Sequence, residues 1–100
     1  MIMLMIIARA FMLDELEKIL SDSGITAYTM LEEVAGKGKA GRVRESNYTE
    51  TNMVILAVCP SAHAEKAVGA LRELVKARVD ASHGHPVPLK VFAHPCEELI

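Results

Sequence analysis

The sequence of 100 residues is poor in the features that several large classes of protein require. It has no tryptophan and only two tyrosines and two phenylalanines, which are scattered and offer no platform for stacking nucleic-acid bases. The formal net charge of -2 gives no general attraction to nucleic acids or anionic membranes. Two cysteines are too few for a disulfide framework and are typical of a reducing compartment.

Long apolar runs are missing as well. The apolar segment 1–7 precedes Ala8-Arg9-Ala10, a pattern of small residues that resembles a signal-peptidase site. It lacks a preceding basic segment, however, and is far shorter than the ~20 residues of a membrane-spanning helix. We therefore interpret it as a buried strand, and we expect one cytoplasmic domain over residues 1–100 without membrane insertion.

Apolar runs and residues with strand propensity predict strands over 2–8, 25–35, 53–59 and 89–94, and apolar residues at helical spacing predict helices after the first and third. Asp14 is placed to cap the first helix in a capping box with Glu17, and Ser61 to cap the second. Gly24 is expected to end the first helix, and a loop is expected from Asp80. The order β-α-β-β-α-β predicts an α+β, ferredoxin-like fold: a four-stranded antiparallel sheet with two helices on one face.

The first and third strands are apolar at consecutive positions, which predicts that both are central and covered on both faces. Ile2, Leu4 and Ile6 would face one side of the sheet, and Met3 and Met5 the other. Two helices cover one face only. We therefore expect an obligate oligomer that buries the second face.

Glycines and lysines alternate where the second strand ends, in Gly36-Lys37-Gly38-Lys39-Ala40-Gly41. The spacing spells the dinucleotide-binding fingerprint, but a polar loop follows in place of the helix that this fingerprint requires. Composition alone favours a hairpin connection with solvated charges. The same residues could also hold an anion, because glycine amides approach it closely and lysines supply charge.

Several segments resemble the opening of the PII nitrogen-regulatory signalling proteins. They are Ile7-Ala8-Arg9-Ala10-Phe11-Met12-Leu13-Asp14-Glu15-Leu16, Gly24-Ile25-Thr26, Thr29, Glu33-Val34 and Gly36-Lys37-Gly38. The resemblance needs no gaps up to Gly41 and continues more weakly through the later elements. It favours the anion site over the idle hairpin.

The resemblance implies a homotrimer that senses a small effector in clefts between subunits and docks a transporter or enzyme through its T-loop, here residues 37–51. Effectors would be ATP, ADP, AMP or bicarbonate, and no cofactor would be required. The ligand-binding residues would be Ile7, Thr29, Gly36, Gly38, Lys39 and Lys90, and the partner-docking residues Arg42, Arg44 and Tyr48.

The chain departs from the family pattern in three places. The T-loop is shorter than in classical members, and the B-loop region, about 80–88, contains His83-Gly84-His85. The C-terminal arginine pair is replaced by Cys96-Glu97-Glu98-Leu99-Ile100. These differences predict a divergent PII-like regulator.

Histidine and cysteine define an alternative function, zinc or copper binding by a metal-tolerance trimer of CutA-like architecture. The candidate ligands are His83, His85, His94 and Cys96. The two pairs flank a strand of about 20 Å, so one ion could join them only across subunits. We interpret the six methionines as core filler.

Catalysis has no candidate residues in this sequence. No nucleophile lies in a recognisable pattern with a base, and Glu32 and Glu33 should face opposite sides of a strand. We predict that the protein is not an enzyme and that it binds no nucleic acid.

Overall fold

A computed structural model describes residues 1–38, 41–42 and 51–100. In chain order the elements are β1 (Ile2–Arg9), a 3-10 helix (Ala10–Met12), α1 (Leu13–Asp22), β2 (Thr29–Val34), β3 (Lys37–Gly38), β4 (Gly41–Arg42), β5 (Asn52–Cys59), α2 (Ser61–Ala81) and β6 (Leu89–Pro95). The predicted third strand is thus β5, and the fourth is β6.

Four strands form one antiparallel sheet in the order β2-β5-β1-β6. Ile6, in the middle of β1, lies opposite Ile55 of β5 and Val91 of β6. The predicted ferredoxin-like arrangement is confirmed, with β1 and β5 in the centre. A separate two-stranded ladder pairs β3 with β4.

The core lies between the helices and one face of the sheet, which we call the inner face. Leu4, Ile6 and Ile55 of the sheet are buried completely, as is Leu16 of α1. Each such side chain contributes about 1.5–3 kcal/mol relative to an exposed position. Helix α2 packs on the same face through Ala64, Ala67 and Leu71.

The opposite, outer face of the sheet is also apolar, and the single chain leaves it uncovered. It carries the alternate residues Met3, Met5, Ile7, Val54, Leu56, Val58 and Phe92. Val58 is 42% exposed and Phe92 is 54% exposed. The sequence therefore predicted a second apolar face correctly.

Both predicted helix caps are wrong. The 3-10 helix brings the chain to α1 in a helical conformation, so Met12 occupies the cap position and Asp14 lies within the first turn. Glu17 accepts a hydrogen bond from the Tyr28 hydroxyl. At α2 the cap residue is Pro60, whose carbonyl accepts the amides of His63 and Ala64, so Ser61 is already helical.

Gly24 ends α1, as predicted, in a Schellman turn. Its φ of +85° suits glycine. The Gly24 amide donates to the Ser21 carbonyl at 3.0 Å, and the Ile25 amide donates to that of Leu20 at 2.8 Å. At α2 the helix continues to Ala81, so the loop expected from Asp80 begins later, and His83 takes the corresponding left-handed position with φ +58°.

Strand β2 is shorter and less regular than predicted. The turn after α1 delays its start to Thr29, and its pairing with β5 shifts register between Leu31 and Val34. Within this bulge Glu33 has a φ of +55°. The bulge breaks the alternation from which we expected Glu32 and Glu33 to face opposite sides, and both are exposed.

Two glycine-to-alanine substitutions should change stability in opposite directions. A Cβ atom at Gly24 would lie 3.0 Å from Cε1 of His63, on a backbone of positive φ. Gly24→Ala should therefore lower the free energy of unfolding by about 1–2 kcal/mol or more. Gly69, inside α2, has open space at its Cβ position, so Gly69→Ala should raise it by about 0.5–1 kcal/mol.

Urea denaturation of both variants beside the parent measures the two effects. His63→Ala in the Gly24→Ala background should recover the part of the loss that comes from the contact with the imidazole. A Gly24→Ala variant with the parent's free energy of unfolding would contradict the close contact between residue 24 and His63.

Candidate functional site

One end of the sheet gathers most of the predicted ligand-binding residues. At this end β1 and β2 finish, β5 and β6 begin, and Asn52 lies opposite both Arg9 and Val34. Because the T-loop, residues 37–51, joins the end of β2 to the start of β5 in the chain, we call this the stem end. We call the opposite end, where β1 begins and β6 finishes, the tail end.

Ile7 and Lys90 lie directly opposite each other on the outer face near the stem end. Val54 lies on the other side of Ile7, so the three residues form a row across β5, β1 and β6. Lys90 is exposed and Ile7 is half-buried. The row thus presents an apolar surface that ends in one positive charge.

The other predicted ligand residues lie outside this row. Gly36 follows β2, and a Cβ atom on it would lie 3.5 Å from Nδ2 of Asn52. Gly38 pairs with Gly41 in the small ladder. Thr29 lies opposite Leu56, one step nearer the middle of the outer face. Lys39 lies outside the described residues.

The residues predicted to dock a partner belong to the same segment. Arg42 lies opposite Lys37 in the β3–β4 register, which places two basic residues at neighbouring positions of the ladder. Arg44 and Tyr48 lie outside the residues that the structure describes.

A pocket of about 230 Å³ adjoins the stem end on another side. Its lining is Ala10, Leu13, Glu32, Glu33, Thr51 and Met53. The Ala10 amide donates to the Thr51 carbonyl at 2.7 Å and ties the 3-10 helix to the sheet. None of the predicted ligand residues lines this pocket. Sequence reasoning missed it because the bulge that places both glutamates at its rim leaves no sequence signal.

The candidate metal ligands lie at opposite ends of the sheet. Helix α2 runs from the tail end to the stem end, so the loop with His83 and His85 lies near the stem. His94 and Cys96 lie at the tail end. His94 is opposite Met3, and the backbone amide of Cys96 donates a hydrogen bond to the Met1 carbonyl. Within residues 1–38, 41–42 and 51–100, no three His, Cys, Asp or Glu side chains come together as a metal site.

The family model for the nitrogen regulatory protein P-II matches residues 1–100. The chain belongs to the P-II family. No curated protein matches it. In the described part of this P-II chain, no helix has the length and apolarity needed to cross a membrane.

Solved structures share the fold. One is the structure of CPII, a nitrogen regulatory PII-like protein from Thiomonas intermedia K12, bound to ADP, AMP and bicarbonate. Its sequence is 20% identical to this chain, and the TM-score is 0.75. The match covers 93% of this chain and 82% of the CPII chain. Another structure of CPII with the same ligands is 26% identical, with a TM-score of 0.65 over 93% and 88%. A PII-like signalling protein from Thermus thermophilus is 15% identical, with a TM-score of 0.60 over 93% and 83%.

Two side chains of this P-II protein have shifted pKa values. The hydrogen bond to Glu17 raises the pKa of Tyr28, with smaller contributions from desolvation and from the glutamate charge. Burial raises the pKa of the Cys59 thiol, and the nearby Cys96 adds to the effect. Cys59 is 3% exposed and belongs to the hydrophobic core.

The phenol of Tyr28 should titrate above its ordinary pKa of 10.0. In a Tyr48→Phe background Tyr28 is the remaining tyrosine, and ultraviolet absorbance of its phenolate reports the titration. Glu17→Ala should move the pKa back toward 10.0, because it removes the hydrogen-bond acceptor and the charge. Glu15→Ala, which removes the partner of Arg78 on the same helix, should leave it unchanged.

The hydrogen bond from Tyr28 to Glu17 stabilises the folded state only while the phenol is protonated. Because the folded-state pKa is raised, the contribution of the bond is complete below about pH 10 and is lost as the pH rises through the folded-state pKa. A Tyr28 that titrated identically with and without Glu17 would contradict the bond.

Proposed function

We propose that this P-II family member is a regulator that binds an adenine nucleotide, or a small anion such as bicarbonate, at the stem end. A neighbouring copy of the chain would complete the cleft, and the bound ligand would change how the T-loop docks a transporter or enzyme. We place this sensor in the cytoplasm and assign it no catalytic activity. The family membership supports a ligand-sensing regulator.

The observation that carries the proposal is that Lys90 of β6 and Gly36, which follows β2, lie at the same end of the sheet, on its two edges. Lys90 is exposed, lies opposite Ile7 and shares the stem end with Gly36. Glycine backbone beside a lysine is a suitable environment for a phosphate or carboxylate, because amides donate to the anion and the ammonium group supplies charge. Lys39, Arg42 and Arg44 would add positive charge from the T-loop.

The apolar side of the ligand would contact the outer face. Ile7 and Thr29 lie on this face, and Ile7 continues into the row with Val54. A purine ring can pack on such a surface while its phosphates reach Lys90. The bound nucleotides in CPII support this class of ligand for a protein of the same fold.

The outer face also supports assembly into a homotrimer. It presents Met5, Leu56 and Phe92 in one row across three strands, uncovered in the single chain. A contiguous apolar surface of this kind is a typical subunit interface in soluble proteins. Assembly would bring a second chain next to Lys90 and so form the proposed cleft. Tyr48 would then contact the partner protein together with Arg42 and Arg44.

Calorimetric titration with ATP, ADP, AMP and bicarbonate tests the ligand. We expect Lys90→Ala to weaken a nucleotide by about tenfold or more, because a charge-assisted hydrogen bond contributes roughly 1.5–3 kcal/mol. Lys76→Ala, an exposed lysine on α2, is the matched control and should bind as the parent does. If an intact trimer bound none of the four compounds, the proposed ligand class would be wrong.

A charge in the middle of the outer face tests the assembly. Leu56, which lies between Met5 and Thr29, should tolerate glutamate in a monomer, because the single chain leaves it half-exposed. We expect the parent to sediment as a trimer, and Leu56→Glu to sediment as a folded monomer that no longer binds the ligand. Arg72→Glu on the exposed face of α2 is the control and should remain trimeric. A parent protein that stayed monomeric would refute the shared cleft.

A further inference from the structure

Soft metal ligands meet on the outer face at the tail end of the sheet, far from the stem. Met3 of β1 lies directly opposite His94 of β6. The Cys96 amide donates to the Met1 carbonyl at 3.1 Å, which extends the same register by one pair beyond Ile2 and Pro95. Two cross-strand pairs, Met3 with His94 and Met1 with Cys96, therefore lie next to each other.

All four residues lie on the same side of the two strands. Residues directly opposite in an antiparallel pair share a face, and so do residues two apart along a strand. Opposite Cβ atoms are about 5 Å apart, and the two pairs are separated by about 7 Å. The thioethers, the imidazole and the thiol can therefore reach a common point.

The imidazole of His94 contacts a backbone carbonyl through one ring nitrogen and leaves the other for a metal. Its Nδ1 lies 3.1 Å from the Pro95 carbonyl oxygen, and this contact is a hydrogen bond in the tautomer that carries the proton on Nδ1. The lone pair of Nε2 is then free to bind a metal. A histidine ligand commonly donates its other ring proton to a backbone carbonyl in this way.

In the single chain, the four side chains at the tail end are at least partly exposed to solvent. His94 is exposed, Met1 is 49% exposed, and Met3 and Cys96 are half-buried. These two methionines are therefore not core filler, unlike the buried Met12 and Met53. The only other cysteine of the sequence, Cys59, is buried on the inner face.

We propose that Met3, His94 and Cys96, with Met1 as a fourth ligand, form a binding site for monovalent copper. Two thioethers, a thiolate and an imidazole are soft donors, a set that selects Cu(I) over Zn(II) and over the hard cations that carboxylates prefer. On binding, the Cys96 thiol releases its proton to solvent and the sulfur binds the copper, which stays in the monovalent state throughout. All four ligands come from one chain, so the site is independent of the proposed nucleotide cleft.

Competition with a chromophoric Cu(I) chelator under anaerobic, reducing conditions tests the site. The parent protein should remove one copper per chain from the chelator. His94→Ala and Cys96→Ser should each weaken the affinity by at least about tenfold, since the loss of residues that only orient a metal ligand costs 10–100-fold. Zinc should not displace the copper.

Matched variants separate the site from general effects. Met3→Leu should weaken copper binding, whereas Met5→Leu, two positions along the same strand and face, should not. His85→Ala removes an exposed histidine near the stem end and should also have no effect. Circular dichroism should show that every variant is folded.

Two outcomes would overturn the proposal. The first is a folded parent protein that takes no copper from the chelator. The second is copper binding that His94→Ala, Cys96→Ser and Met3→Leu all leave unchanged. A Leu56→Glu monomer that keeps its copper affinity would support a site within one chain, even if the nucleotide proposal failed.

Discussion

The structure depends on a central strand that is apolar on both faces. Side chains of β1 alternate between a helix-covered inner face, with Leu4 and Ile6, and an outer face with Met5 and Ile7. Burial of the inner set stabilises the chain itself. The outer set has no cover within one chain, and hydrophobic association is the physical means of removing it from water. In our proposal the same requirement creates the ligand cleft, because subunits that cover the outer face must meet beside Lys90.

Chain connectivity places residues of different chemistry at the two ends of the sheet. Gly36, the end of α2 and the start of β6 all lie at the stem end, where positive charge and glycine backbone suit an anion. The tail end receives the start of β1 and the finish of β6, which bring sulfur and imidazole together. Because the sheet separates the two ends by the length of a strand, the two proposed sites cannot share a ligand residue within one chain.

Tight backbone turns fix where these elements begin and stop. Gly24 and His83 both follow a helix in the left-handed conformation, but only glycine takes it without a steric cost. The bulge around Glu33 makes the pairing of β2 with β5 irregular, and Glu33 lines the pocket beside Leu13. Such positions depend on the surrounding packing, which holds the backbone in conformations that an isolated segment would rarely adopt.

The amino-acid sequence was enough to predict the order of strands and helices, the central position of β1 and β5, the stop at Gly24 and the membership of the P-II family. These follow from local signals: runs of apolar residues, a glycine after a helical stripe, and a motif that continues to Gly41. Sequence reasoning failed at Asp14 and Ser61, because the preceding 3-10 helix and Pro60 had already set the path of the chain. The folded sheet was needed to place Lys90 opposite Ile7 and His94 opposite Met3. Strand register joins residues that are distant in the chain, so it is set by the packing of the whole sheet and by no local pattern.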